Sequence, residues 1–392
     1  MATDKIGKIH IGIFTIIWLA FMTSNVDRFA WGSVMPVASA ALGLSGAGSG
    51  GLMTAFFIGY ISTQLPGGWL ADRFGYRRVL LSSFLVMGLF TGLMGTVEVY
   101  ETGFIYRVLA GMGSGCVYSS SLRAVFDWFP ERTRGTVIGL FLTASSLGLS
   151  AANLLTPVLA RNYSWNTAFY IIGAATFSCF FLALFFLKEP EGGRKKSEPV
   201  AAAFSKLFNR NLILISLAGF GFMWGAIGTA TWANSYMHKV LDLSLVEAGA
   251  IMSVYGAVAV LAKPVSGFLA DLLGIPLKYF SGAMLIFFAV ALVLFGLNQD
   301  AQQAWLWAVI LALGFGIPAP LMNLLIGQAA PPGQVGASFG LANTIWQAGS
   351  LCSPLAAGLA LDLSQNYFVI FLTLAVGPAL GAVAVMMMKP GE

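Results

Sequence analysis

The sequence predicts an all-α membrane protein: twelve transmembrane helices in two pseudo-symmetric six-helix bundles. Three observations predict it. Apolar residues make up 58% of the 392-residue chain and charged residues only 9%, whereas a soluble domain carries roughly a quarter charged residues. Charge-free stretches such as 279–298 match the run of about 20 apolar residues that a bilayer requires. Finally, the segment Gly68 to Arg78, Gly-Trp-Leu-Ala-Asp-Arg-Phe-Gly-Tyr-Arg-Arg, returns in weaker form 199 positions later, at Gly267 to Lys278. That spacing is almost half the chain, as a duplicated pair of halves requires.

Apolar runs between polar turns place the spans near 10–38, 50–71, 79–98, 104–127, 135–159, 166–187, 211–237, 246–270, 278–297, 303–327, 336–360 and 366–388. The first exceeds what the bilayer needs, and tilt or a kink absorbs the excess. It is too long for a cleavable signal peptide and lacks a small-residue cleavage site. The two copies of the repeated segment fall in the short turns after spans two and eight. Between spans six and seven, a stretch rich in proline, glycine and charge reads as an exposed linker. The expected domains are therefore residues 1–190, a cytoplasmic linker at 191–205, and residues 206–392. Cys116, Cys179 and Cys352 lie in separate apolar runs without ligand-like spacing and read as small buried thiols.

Basic residues set the orientation. Lys5, Lys8, Arg73, Arg77, Arg78, Arg132 and the linker bases share one side of this map, while only Arg161 and Lys239 fall clearly on the other. Basic loops stay cytoplasmic, so both termini are expected inside, in a bacterial-type inner membrane. This topology accounts for the net charge of +5 without nucleic acid.

The form Gly68-x-x-x-Asp72-Arg73-x-Gly75-x-Arg77-Arg78 resembles the loop signature between the second and third spans of the major facilitator superfamily of secondary transporters. Span four is similar to the family pattern too. It opens Arg107-x-x-x-Gly111-x-Gly113-x-Gly115 and ends Asp127-Trp-Phe-Pro-Glu-Arg-Thr-Arg-Gly135. In span one, the pair Asp27-Arg28 resembles the organic-anion transporters of the anion:cation symporter group. In span eight, Lys263-Pro264 stands where oxalate:formate antiporters and monocarboxylate transporters carry an Arg-Pro whose arginine engages a carboxylate. Lysine keeps that charge without the planar fork. Where monocarboxylate transporters place an acid one turn earlier, this chain has Ala259, so coupling through that acid does not carry over. The glycine-proline motif of many drug antiporters is absent from span five.

An ionisable side chain inside a span costs several kcal/mol and so needs a partner or a use. Asp27, Arg28 and Lys263 are the ones that fall deep. Neighbours in a helix diverge by about 100 degrees, so Asp27 and Arg28 cannot share one face. Arg28 and Lys263 read as a carboxylate clamp, one cation from each half, or else as structural partners of Asp27. Asp27 is the candidate proton carrier, or else a fixed partner of Arg28. Arg107 and Arg123, about one turn from the span ends, are expected to snorkel in structural or gating roles. Among residues of the spans the family uses to line its cavity, Tyr60, Tyr118, Trp232 and Asn343 are the secondary substrate-binding choices. The resemblance makes Gly68, Asp72, Arg73, Gly75, Arg77, Arg78 and Asp271 a cytoplasmic gate, with Leu272 in place of the second copy's base.

The expected function is secondary active transport of a small organic anion, a mono- or dicarboxylate, by proton-coupled symport in a monomer. Anion exchange, drug efflux and a non-transporting sensor are the alternatives. Drug efflux predicts an acid-dominated cavity, which the two bases oppose. No enzyme, metal or cofactor is expected, because His10 and His238 sit near membrane boundaries without a nucleophile or ligand cluster.

Overall fold

The computed structural model describes residues 7–189, 209–331 and 334–389, so the expected linker at 191–205 lies outside the described residues. All regular structure among them is helical: α1 (Lys8–Ala41), α2 (Gly46–Phe74), α3 (Tyr76–Leu93), α4 (Tyr100–Trp128), α5 (Glu131–Asn162), α6 (Trp165–Phe186), α7 (Arg210–Lys239), α8 (Leu245–Leu273), α9 (Leu277–Leu297), α10 (Ala304–Gly316), α11 (Pro318–Ala329), α12 (Val335–Ser364) and α13 (Tyr367–Met386). Nine helical stretches among the described residues are long and apolar enough to cross a membrane. Helices α2, α4 and α12 are equally long, at 29, 29 and 30 residues, but richer in glycine, serine or charge.

The tenth expected span is a single apolar stretch, Ala304–Ala329, broken at Ile317 into α10 and α11. Pro318 opens α11, where its missing N–H costs little. Helices α2, α4, α5 and α12 run about a turn beyond the apolar run at one or both ends. At 34 residues α1 is about 50 Å long, well beyond the roughly 30 Å hydrocarbon core.

Local chemistry sets the helix ends. Asn209 caps α7 by accepting the Leu212 amide at 2.8 Å. Ser244 and Glu247 close a reciprocal capping box at the start of α8. Between α2 and α3 the chain turns through Gly75 at φ 92°, a left-handed conformation that favours glycine, and a Cβ there would also strike the Glu189 carboxylate.

Contacts divide the chain into two compact units, residues 1–31 with 55–197 and residues 32–54 with 198–392. In the first, α3 packs on α4 and α6. Its apolar core includes Phe21, Phe84, Val117 and Phe141. In the second, α7 packs on α12 and α13, α9 on α13, and α8 on α10.

Within the second unit, the start of α2 is held by an acid from the far end of the sequence. The Asp362 carboxylate accepts the Gly46 amide at 2.7 Å and the Ala47 amide at 2.8 Å, satisfying two of the unpaired donors at that helix terminus. Gly46 meets α12 closely, since a Cβ there would lie 2.6 Å from the Gly358 carbonyl. Further along, Thr54 donates to the Leu351 carbonyl at 2.8 Å. Loss of a helix cap costs about 0.5–2 kcal/mol, and 1.4 kcal/mol is a factor of ten in an equilibrium constant. Asp362→Ala is therefore expected to speed amide exchange at Gly46 and Ala47 by about tenfold, measured by hydrogen–deuterium exchange. Unchanged exchange at both amides would refute the capping role.

Candidate functional site

Three charged residues of the first unit, Asp27 and Arg28 on α1 and Arg107 on α4, form its charged centre. Arg28 on α1 is buried, 7% exposed. Its guanidinium carbon lies 4.3 Å from the centre of the Tyr60 ring, 5.5 Å from Phe57, and 5.9 Å from both Phe56 and Phe29. Phe56 and Tyr60 share a face of α2 because they are four residues apart. The Arg28 Nε and Nη2 atoms have no hydrogen-bond partner among the described residues. Ring faces offer a cation about 0.5–2 kcal/mol, but they leave those in-plane donors unsatisfied.

Asp27 points elsewhere, as its helical offset from Arg28 demands. It is fully buried; its Oδ1 accepts the Thr176 hydroxyl of α6 at 3.0 Å, and its Oδ2 has no hydrogen-bond partner among the described residues. Arg107 of α4 ties the pair into the bundle. Its Nη1 donates to the Asp27 carbonyl at 3.0 Å and its Nη2 to the Arg28 carbonyl at 3.2 Å, while the guanidinium lies 4.6 Å from the Phe56 ring centre. The snorkelling expected of Arg107 is thus corrected: it is 0% exposed and braces α1 from inside. Nearby, the Ser24 and Ser114 hydroxyls form a further α1–α4 hydrogen bond. Helix α4 comes close enough to α2 because Gly111 and Gly115 face the Phe56 and Tyr60 carbonyls without a Cβ.

In the second unit, Lys263 on α8 is half-buried, with Nζ 5.6 Å from the centre of the Phe315 ring on α10. Phe315 stacks with Phe222 at 5.9 Å and with Tyr255 at 5.4 Å. Ala259, one turn before Lys263, is fully buried.

The secondary choices occupy varied settings. Tyr60 is part of the Arg28 wall. Tyr118 is half-buried and packs on Phe21 at 5.5 Å and Phe141 at 6.2 Å. Trp232 is buried and donates its indole N–H to the Pro354 carbonyl at 3.1 Å. Asn343 is half-buried on α12.

At the end of α2, Asp72 accepts a hydrogen bond from Arg123 Nη1 at 2.7 Å, while Arg123 Nε lies 3.1 Å from both Asp127 oxygens. Arg123 thus bridges two acids and sits half-buried rather than reaching freely outward. Arg73 lies against Trp69 and Phe74, Arg77 donates to the Leu184 carbonyl at 2.7 Å, and Arg78 is exposed. Gly68 lies in α2, with room for a Cβ at ordinary contact distance from Ser119. The side chain of Asp271 lies outside the described residues. Cys116 and Cys179 are buried thiols, but Cys352 is exposed, correcting the expectation for that residue.

Residues 17–354 match the Major Facilitator Superfamily. The chain belongs to this superfamily. It is a transporter-family protein with the superfamily's twelve transmembrane helices in two bundles, and not an enzyme. The probable galactarate/D-glucarate transporter of Bacillus subtilis (strain 168) is 25% identical, covering 90% of this chain and 86% of its own length. The cis,cis-muconate transport protein of Acinetobacter baylyi is 26% identical, covering 88% and 86%. The probable sulfoacetate transporter of Cupriavidus necator is 23% identical, covering 96% and 93%. Among solved structures, a bacterial homolog of the human lysosomal transporter Spinster, inward-facing and occupied, superposes with a TM-score of 0.84 at 16% identity. The match covers 97% of this chain and 96% of that one.

Arg107 needs its fork as well as its charge, since two successive carbonyls are held by two nitrogens of one plane. Hydrogen bonds from charged groups are worth about 1.5–3 kcal/mol. Arg107→Lys is expected to lower the thermal midpoint of the purified protein by several degrees, read by intrinsic fluorescence. A midpoint equal to wild type would show that the fork carries no load.

Proposed function

We propose that the chain is a secondary active transporter of a small organic anion, working by alternating access. Arg28 is the principal anion-binding cation of the first unit and Lys263 that of the second. The unpartnered donors of buried Arg28 carry this reading. A cation inside a span, held on ring faces with in-plane N–H groups unused, is poised for an acceptor that arrives from outside. The substrates named for the Bacillus, Acinetobacter and Cupriavidus relatives are small organic anions, which supports the same reading.

The Asp72, Arg123 and Asp127 group, with the turn at Gly75, fits the proposed cytoplasmic gate because such ion pairs can exchange partners as the bundles rock. Tyr60 is the best placed of the secondary residues, being in contact with Arg28. The basic loops support a topology with both termini cytoplasmic.

In a thermal-shift titration with a mono- and dicarboxylate panel, Arg28→Ala and Lys263→Ala are each expected to abolish saturable stabilisation while the unliganded protein stays folded. Lys263→Arg is expected to retain some stabilisation, and Arg28→Lys to retain little, because the ring-stacked fork is lost. Wild-type affinity in either alanine variant would reject that residue as an anion ligand.

Proton coupling is assigned to Asp27. Its carboxylate is fully buried, has one unpartnered oxygen and directly precedes Arg28, so its charge state bears on the cation that meets the substrate. Asp27→Asn is expected to keep counterflow exchange but lose accumulation driven by a pH gradient, both measured on the same proteoliposomes. Gradient-driven accumulation in the asparagine variant would exclude Asp27 as the carrier.

A further inference from the structure

We infer that the transported anion has an apolar, unsaturated or aromatic body rather than a polyhydroxylated one, an inference that rests on Arg28 and Lys263 as the anion-binding cations. The relatives leave this open, since galactarate carries a hydroxyl on each interior carbon and muconate carries none. The surroundings of the two cations decide between them.

In the first unit, Arg28 is surrounded by the rings of Phe29, Phe56, Phe57 and Tyr60, all within 5.9 Å of its guanidinium carbon. In the second unit, Lys263 lies against Phe315, which stacks with Phe222 and with Tyr255. Each intramembrane cation therefore meets aromatic surface, in two units that arrive at the arrangement with different residues.

This surface has consequences for a substrate's body. The four rings are buried, 5% exposed or less, so a substrate whose carboxylate engages the in-plane donors of Arg28 enters among them. A conjugated chain or ring gains dispersion and offset stacking there. A polyol would bring hydroxyls to ring carbons, and each hydroxyl stripped of water without a partner pays its desolvation penalty. Polar sites that select hydroxylated substrates place donors and acceptors along the body. Around Arg28 the phenol of Tyr60 is the sole such group among the four rings.

The test uses two pairs of anions matched in carbon number and charge: cis,cis-muconate against galactarate, and sorbate against gluconate. Binding to the full-length purified protein is measured by titration calorimetry. The expected result is that the diene of at least one pair binds tenfold or more tightly than its polyol. Tyr60→Phe is expected to keep that preference and Tyr60→Leu to reduce it at least threefold. Equal or tighter binding of the polyols would overturn the inference while leaving the anion site standing. Loss of the preference in Tyr60→Phe would overturn it as well, because the ring would then not be its source. Binding of none of the four anions would instead overturn the anion-site reading.

Discussion

An arginine inside the bilayer has few ways to exist, and the first unit is arranged around one of them. The guanidinium of Arg28 lies among four aromatic rings, with two of its donors left without a hydrogen-bond partner among the described residues. That arrangement is costly unless something meets those donors. The neighbouring helices are organised around keeping it in place. Arg107 holds the backbone of α1 at residues 27 and 28, Ser24 and Ser114 link the same two helices, and glycines on α4 let it approach the wall that α2 builds.

The adjacent acid shows how a single residue step along a helix separates two environments. Asp27 and Arg28 are covalent neighbours, yet one reaches α6 and the other lies on α2. Arg107 donates to the backbone carbonyls of both. That separation suits the proposed cycle, in which a proton and an anion are handled at distinct places.

Much of this was legible in the sequence. The helices, the repeated loop and the deep charges follow from apolar runs and from what interrupts them. The divergence of Asp27 and Arg28 follows from helix geometry alone. Other features were not legible, for physical reasons. Arg107 looks peripheral when depth is judged by distance from the end of a run, and its partners are backbone carbonyls, which leave no trace in residue identity. Thr176 reads as one more small residue in an apolar stretch. Asp362 sits 316 residues from the amide it caps, so no local pattern announces it. Cys352 was misplaced because a membrane helix is apolar on its lipid face as well as its packed face, and the polarity pattern that marks exposure in soluble helices is missing.

Counterflow in proteoliposomes containing the purified wild-type protein tests the central claim most directly. Vesicles preloaded with an unlabelled anion of the carboxylate panel and diluted into the same anion labelled are predicted to show, for at least one anion, a transient accumulation of label above equilibrium, absent from protein-free vesicles. Uptake identical in vesicles with and without the protein would contradict the account.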